Sequence, residues 1–460
     1  MERRDFFKTV GAVGAAGASA AMAGCRDAGA SRYDEISSGE IPPEAMTYRT
    51  DPHTGDKISL LGFGCMRFPK RLVRDESAPE EKYDQEAVNA MVDYAIAHGV
   101  NYFDTSPRYC EGMSERLTGN ALEKHLQKNR DKIFIATKMS NFTPETMTKD
   151  ASIAMYRQSM EYLKTDYFDY YLIHNVGDLP TYTKRFLDNG ILDFLLAEKE
   201  AGRIRHLGWS FHGEKEFFDW MLSCGVAWDF IQIQLNYLDW QHATGRNVNA
   251  EYLYEEMAQR NIPAVIMEPL LGGRLARTNY KARTLLKQKK PEKSVASWAF
   301  RFAGSLPNVL TVLSGMTFIE HVRDNLLTYS PLEPLTDEEY KLIEQVTDSL
   351  VSNEFQSINC TECKYCMPCS YGLDIPEIFM HYNKCLNEGT FPANAKDENY
   401  QKARRAFLVG YDRSVPKLRQ ADHCTGCREC VPECPQRVDI PAEMRKIDTF
   451  VDNLRKEGNY

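Results

Sequence analysis

Between about residue 46 and residue 330 the chain alternates short β-rich runs with amphipathic helical stretches, and no other feature limits its fold so tightly. The predicted strands are Ile58–Gly64, Asn101–Ser106, Lys132–Met139, Tyr167–Asn175, Arg205–His212, Phe230–Tyr237, Pro263–Leu271 and Asn308–Met316. Several contain continuous runs (IFIAT, VIME, VLTVL), as expected of parallel strands covered on both faces. After the first strand, Ala87, Val88, Met91, Val92, Ala95 and Ile96 recur at helical spacing, and His98-Gly99 ends the run. Eight such strand–helix pairs in this length predict an α/β chain folded as a (β/α)8 TIM barrel. An open doubly wound sheet would carry a G-x-G-x-x-G turn after its first strand, and that turn is absent.

Barrel chemistry gathers where strands end. The second strand ends in Phe103-Asp104-Thr105-Ser106-Pro107-Arg108-Tyr109, the third in Ala136-Thr137-Lys138 and the fourth in Tyr171-Leu172-Ile173-His174. Each puts a polar, titratable side chain where an apolar strand emerges. In order and spacing these residues resemble the Asp, Tyr, Lys and His tetrad of the aldo/keto reductase superfamily, over about residues 55–330. The resemblance implies an oxidoreductase that interconverts a carbonyl and an alcohol by hydride transfer with NADP or NAD. Tyr109 would then be the general acid, tuned by Lys138 and Asp104, with His174 polarising the carbonyl.

The same resemblance implies cofactor contacts. Gly64, Cys65 and Met66 would lie near the nicotinamide ribose, Ser210 and Gln234 would hold the carboxamide, and Tyr237 would stack on the ring. Pro269, Leu270 and Gly272 fall in a stretch similar to the pyrophosphate loop, and Asn325 follows the last strand. Phe211 stands where many members carry Asn, and only His321 and Arg323 offer themselves to a 2′-phosphate, so the choice between NADP and NAD stays open. The substrate would be a small carbonyl or alcohol, met by the loops Asn175–Thr183, Asp239–Val248 and the segment after Leu275; Tyr237 and Trp240 would form either an apolar wall there or ordinary core packing.

Beyond the barrel, Thr336–Ser352 reads as a connecting helix with Thr336 as N-cap and Glu339 three residues on. Of 13 cysteines, nine then fall between Cys360 and Cys434. Cys360, Cys363, Cys366 and Cys369 form one run, and Cys424, Cys427, Cys430 and Cys434 form a second that ends in Pro435. The second has the spacing of a ferredoxin-type [4Fe–4S] run. Each fourth cysteine is followed at +5 by Asp-Ile-Pro (Asp374 and Asp439), an internal repeat. The pair resembles a small α-rich, bacterial ferredoxin-type domain with two [4Fe–4S] clusters. That resemblance implies one cluster on Cys360, Cys363, Cys366 and Cys434, and the other on Cys424, Cys427, Cys430 and Cys369. Structural zinc is the competing reading, but it prefers paired knuckles to four cysteines in series. Cys65 would line the active site, whereas Cys110, Cys224 and Cys385 read as ordinary apolar residues.

At the N-terminus, Arg3-Arg4-Asp5-Phe6-Phe7-Lys8 before a weakly apolar stretch resembles a twin-arginine export signal. Met22-Ala23-Gly24-Cys25 resembles a lipoprotein box that would lipidate Cys25, with simple cleavage nearby as the alternative. The expected organisation is a signal at 1–25, a tether at 26–45, the barrel at 46–330, a connecting helix at 331–352 and the iron–sulfur domain at 353–460. The expected location is periplasmic or cell-envelope, with membrane contact only through the lipid. The net charge of −9 argues against a nucleic-acid partner. Hydride chemistry and one-electron clusters in one chain point to a flavoprotein or other electron-transfer partner. The alternative is an iron–sulfur electron-transfer subunit or redox sensor whose barrel is a non-catalytic scaffold.

Overall fold

Eight parallel strands close into a barrel in the computed structural model: β1 Leu61–Gly64, β2 Tyr102–Asp104, β3 Phe134–Met139, β4 Phe168–Val176, β5 Ile204–Phe211, β6 Phe230–Gln234, β7 Ala264–Met267 and β8 Val309–Gly315. Each strand pairs with the next, and β8 returns to β1. The structure describes residues 36–74, 79–244, 247–351, 357–388, 390–393 and 395–457. The paired arginines and Cys25 lie outside the described residues.

Strand alternation decides where the polar residues go. Tyr102, Phe134, Ala136, Tyr170, Leu172, Phe230 and Val265 fill the barrel interior. Their neighbours Phe103, Ile135, Tyr171 and Ile173 belong to the layer between strands and helices. Counting on by twos from the interior residues reaches Asp104 on β2, Lys138 on β3 and His174 on β4, so the same parity turns all three inward at the strands' C-terminal ends. The opposite end is closed by a hairpin of Tyr48–Thr50 with Lys57–Ser59. There Tyr170 donates to Asp51 Oδ2 at 2.8 Å and stacks on the His206 ring.

Several boundaries differ from those expected. The run Ile58–Gly64 is broken at Leu60, because its first part belongs to the floor hairpin. β6 and β7 stop short, at Gln234 and Met267. The backbone then curls: Asn236 takes Asp239 and the Glu268 carbonyl as side-chain partners, and Glu268 and Leu271 adopt φ of 55° and 49°. A hairpin of Lys70–Arg74 with Pro79–Tyr83 has no apolar run to announce it. Of the residues expected as a tether, those from 36 on are described, and they pack against the barrel. Ser37 is buried, its N–H donating to Asp324 Oδ1 at 2.8 Å, while Ser38 N–H donates to Glu292 O.

Past the barrel, helix Asp337–Val351 opens with the expected reciprocal cap. Glu339 N–H donates to Thr336 Oγ1 at 3.3 Å, and Thr336 N–H donates to Glu339 Oε2 at 3.0 Å. Helices Ile375–Asn387, Tyr400–Ser414 and Ile440–Lys456 enclose a second core containing Ile378, Phe379, Phe407, Met444 and Ile447. The Asp-Ile-Pro repeat has a shared structural role: Asp374 caps the first of these helices through Glu377 N–H, and Asp439 caps the third through Ala442 N–H. Barrel and cysteine-rich region form one compact unit rather than two. Among the described residues, no helix is long and apolar enough to cross a membrane.

Candidate active site

The tetrad residues come from three successive strands and the turn after β2. Lys138 Nζ donates to Asp104 Oδ1 at 2.5 Å and to the Thr105 carbonyl at 2.8 Å. Both side chains are almost wholly buried. Burial lowers the Lys138 pKa and raises that of Asp104, and their mutual attraction opposes both shifts. The short turn Tyr109–Gly112, held by Cys110 and Glu111 at positive φ, swings Tyr109 back over this pair. Lys138 Nζ lies 4.8 Å from the Tyr109 ring centroid, and the His174 ring meets the Tyr109 ring edge-on at 5.8 Å.

His174 is held by two serines that nothing in the sequence pattern singles out. Its Nδ1 is 2.6 Å from Ser140 Oγ and 3.3 Å from Ser106 Oγ. A hydroxyl donating to Nδ1 leaves the ring proton on Nε2, where it is available to a substrate oxygen. Burial pulls the His174 pKa well below the usual histidine range, helped by Lys138, Arg185, His212 and Arg108. The imidazole is therefore neutral at pH 7. Arg185, itself buried, donates to the His174 carbonyl at 2.8 Å and to Asn141, tying β4 to the segment after β3.

For Tyr109 the balance is not the one expected. Burial pushes its pKa well above the ordinary tyrosine value, and Tyr365, Asp104, Glu268 and Cys363 add to the rise. The resting side chain is a neutral phenol. Tyr365 and Cys363 belong to the first cysteine run, so the cysteine-rich region reaches Tyr109. Arg108 sits between the two parts, 5.5 Å from the Phe142 ring, 5.9 Å from the Tyr365 ring and 3.8 Å from Glu433.

The residues expected to hold a dinucleotide are engaged elsewhere. Ser210 Oγ accepts from Asn175 N–H at 2.8 Å, and Asn325 donates to Ser314 Oγ at 2.8 Å. Cys65 has no exposed surface; its S–H donates to the Phe63 carbonyl, so it is a core thiol rather than a lining residue. The backbone carbonyls of Cys65 and Met66 accept from Cys110 Sγ, and Gly64 packs tightly against Ser314. Tyr237 is buried and meets the Phe302 ring at right angles, and Trp240 packs on the same Phe302 ring. Pro269 is buried and Leu270 packs against the barrel core, whereas Gln234 and Gly272 touch the cysteine-rich region. Gln234 and Gln436 pair their amides, Gln436 Nε2 donating to Gln234 Oε1 at 2.9 Å. Gly272 is so close that a Cβ there would lie 2.3 Å from Thr361 Cα.

The eight clustered cysteines fall into two groups. Cys360, Cys363, Cys366 and Cys434 line one small cavity, walled by Ile375, Phe379, Val438 and Ile440. As thiolates they would repel one another, and Cys424, Cys427, Cys430 and Cys369 form a second such set. Cys385 is buried beside His381. No disulfide joins any described cysteine. Among the described residues no group of three His, Cys, Asp or Glu side chains stands close enough to share a single metal ion.

A closed parallel barrel with this strand-end constellation defines the class. Residues 60–348 match the Aldo/keto reductase family, and the chain belongs to that family of oxidoreductases. It is 30% identical over 190 residues to the protein tas of Escherichia coli, an alignment covering 35% of this chain and 51% of that protein. The chain thus spans about half the length of that relative. It is 25% identical over 310 residues to L-galactose dehydrogenase of Arabidopsis thaliana, covering 62% of this chain and 88% of the relative. An aldo-keto reductase of Klebsiella pneumoniae, solved in complex with NADPH, shares the fold at a TM-score of 0.50 and 20% identity, covering 66% of this chain and 96% of its own.

Proposed function

We propose that this chain interconverts a carbonyl and an alcohol at Tyr109, in an exported protein that also carries two [4Fe–4S] clusters. The observation that carries the reading is the grouping of Asp104, Lys138, Tyr109 and His174 on one side of the pocket. In the reducing direction Tyr109 Oη gives its proton to the carbonyl oxygen while His174 Nε2–H donates to the same oxygen. Lys138⁺ stabilises the phenolate left behind, and Asp104 keeps the lysine charged and aimed. In the oxidising direction the phenolate takes the proton back. The substrate is a small carbonyl or alcohol, in keeping with a sugar dehydrogenase among the relatives.

Two groups bear on the redox half of the reaction. The residues fit the clusters: two thiol quartets, one around an apolar cavity, match the one-thiolate-per-iron demand of a cubane, whose ligands stand further apart than those of a single ion. Cys360, Cys363, Cys366 and Cys434 would hold one cluster and Cys369, Cys424, Cys427 and Cys430 the other. Such clusters exchange single electrons with a partner, for which a flavoprotein is our candidate. NADPH, the donor we assign on family grounds, would supply the hydride when bound, and NADP would accept it in the oxidising direction. The groove as arranged does not fit it, because Gln234 and Gly272 are covered by Gln436 and Thr361. The same cover favours the second reading, an electron-transfer subunit or sensor built on a silent barrel.

Export is part of the proposal. Twin-arginine transport moves folded proteins, so clusters inserted beforehand would survive the passage, and lipidated Cys25 would hold the product at the envelope. The test is turnover by the reconstituted, isolated chain on a panel of aldehydes and ketones with NADPH. Sustained alcohol formation supports the enzyme; reduced clusters without any turnover support the silent barrel.

A further inference from the structure

The mouth of the barrel is lined by groups suited to a dinucleotide, yet each has a partner from within the chain. Gln234 pairs with the carboxamide of Gln436, the functional group that nicotinamide itself carries; Gln436 Nε2 donates to Gln234 Oε1 at 2.9 Å, and its Oε1 also accepts from Asn247 and Asn359 at 3.2 Å. The glycine loop after β7 is filled as well. Gly272 N–H, which a phosphate oxygen would take, donates to Glu268 Oε2 at 2.6 Å, and Thr361 backbone lies against Gly272 with no room for a Cβ. The two basic residues at the loop are also engaged. Arg67 donates to the Thr361 carbonyl, and Arg274 donates to Asn359 Oδ1 at 2.6 Å and to Ser357 Oγ.

We infer that residues 357–363 together with Gln436 are a built-in occupant of the dinucleotide groove, so that NADPH binds only when this segment lifts. The inference rests on the nicotinamide reading of the barrel. Carboxamide meets carboxamide at Gln234, the Thr361 backbone covers Gly272, and backbone carbonyl and side-chain oxygens meet the arginines. Each seat is taken by the kind of group the ligand would bring. Exclusion is reciprocal: a seated segment weakens NADPH, and bound NADPH unseats the segment. If the segment is seated in about 99 of 100 molecules, apparent affinity falls about 100-fold. The device would let the state of the cysteine-rich region decide when the barrel can take its donor.

The test uses the reconstituted full chain and an Asn359→Ala/Gln436→Ala double variant, neither residue being part of the tetrad. NADPH binding is followed by nicotinamide fluorescence, and amide exchange of residues 357–366 is read with and without NADPH. We expect the double variant to bind NADPH at least about 10-fold more tightly. We also expect NADPH to speed exchange of that segment in the unaltered chain. Equal affinity of the two proteins with unchanged exchange overturns the inference and leaves the nicotinamide reading standing. No binding by either protein, with the segment loosened in the variant, overturns both. The exchange measurement on the unaltered chain decides the matter should the variant fold poorly.

Discussion

His174 shows how a single residue is set for its task by its surroundings. Burial and nearby cations keep its imidazole neutral, and two serine hydroxyls lie within hydrogen-bond distance of its Nδ1. Its pKa lies well below 6.5, and a base is neutral above its pKa, so the neutral imidazole that the proposed reaction uses is present throughout the neutral range. Carbonyl reduction should therefore show no acid limb near pH 6.5 in a pH–rate profile. Replacing Ser140 with Ala should weaken the tautomer control and lower kcat more than it raises KM. The four tetrad positions were legible because strand ends in a barrel are few and their residue types are distinctive. Ser106 and Ser140 were not, because a serine beside a strand end carries no signal until a ring nitrogen is found next to it. Nor was the Tyr109 pKa: the sequence brings Lys138 near, but not Tyr365 or Glu268 from segments far along the chain.

Among the elements, helix Asp337–Val351 bears most on how the barrel is joined to the cysteine-rich region. Glu339 on its first turn meets Arg301 of helix Val295–Ser305 in a two-pronged pair at 3.0 and 2.8 Å, with both side chains no more than 3% exposed. Burial alone would raise the Glu339 pKa, but Arg301, Thr336 N–H and Lys290 more than reverse it and bring it down to about 2. A carboxyl lowered from 4.5 to about 2 on folding stabilises the protein above pH 4.5 and loses that stabilisation as pH falls towards 2. Thermal or denaturant unfolding of Glu339→Gln should show a loss of about 3 kcal/mol at neutral pH and a flatter acid slope. The helix and its cap were readable from the T-x-x-E pattern, whereas Arg301 reads only as a charged residue inside an apolar helix. Strand positions were readable for a related reason, since continuous apolar runs mark buried parallel strands. Their ends were less so: β6 and β7 stop where Asn236, Asp239 and Glu268 begin to bond to one another, an arrangement without a periodic signature.

At the scale of the whole molecule, the sequence divides into a barrel and a cysteine-rich tail, but the structure joins them at the pocket itself. The ferredoxin resemblance implied that Cys434 would join the first run, and Cys360, Cys363, Cys366 and Cys434 do line one cavity; in the proposal each cluster takes its fourth ligand from the other run. Metal analysis of the reconstituted chain should give about eight iron and eight sulfide, falling towards about four of each in Cys434→Ala. Zinc in place of iron would remove the cluster assignment. The seating of that region on Gln234 and Gly272 could not be foreseen, because Gln436, Thr361 and Asn359 look like ordinary loop residues until the chain folds back. The proposed function rests at every scale on Tyr109 donating the proton in a carbonyl–alcohol reaction. Turnover of an aldehyde or ketone by the reconstituted chain, compared with Tyr109→Phe at matched fold and iron content, is the decisive measurement. A working tetrad gives measurable turnover that falls at least about 100-fold in the variant. Equal rates in the two proteins, or no turnover in either, would contradict it.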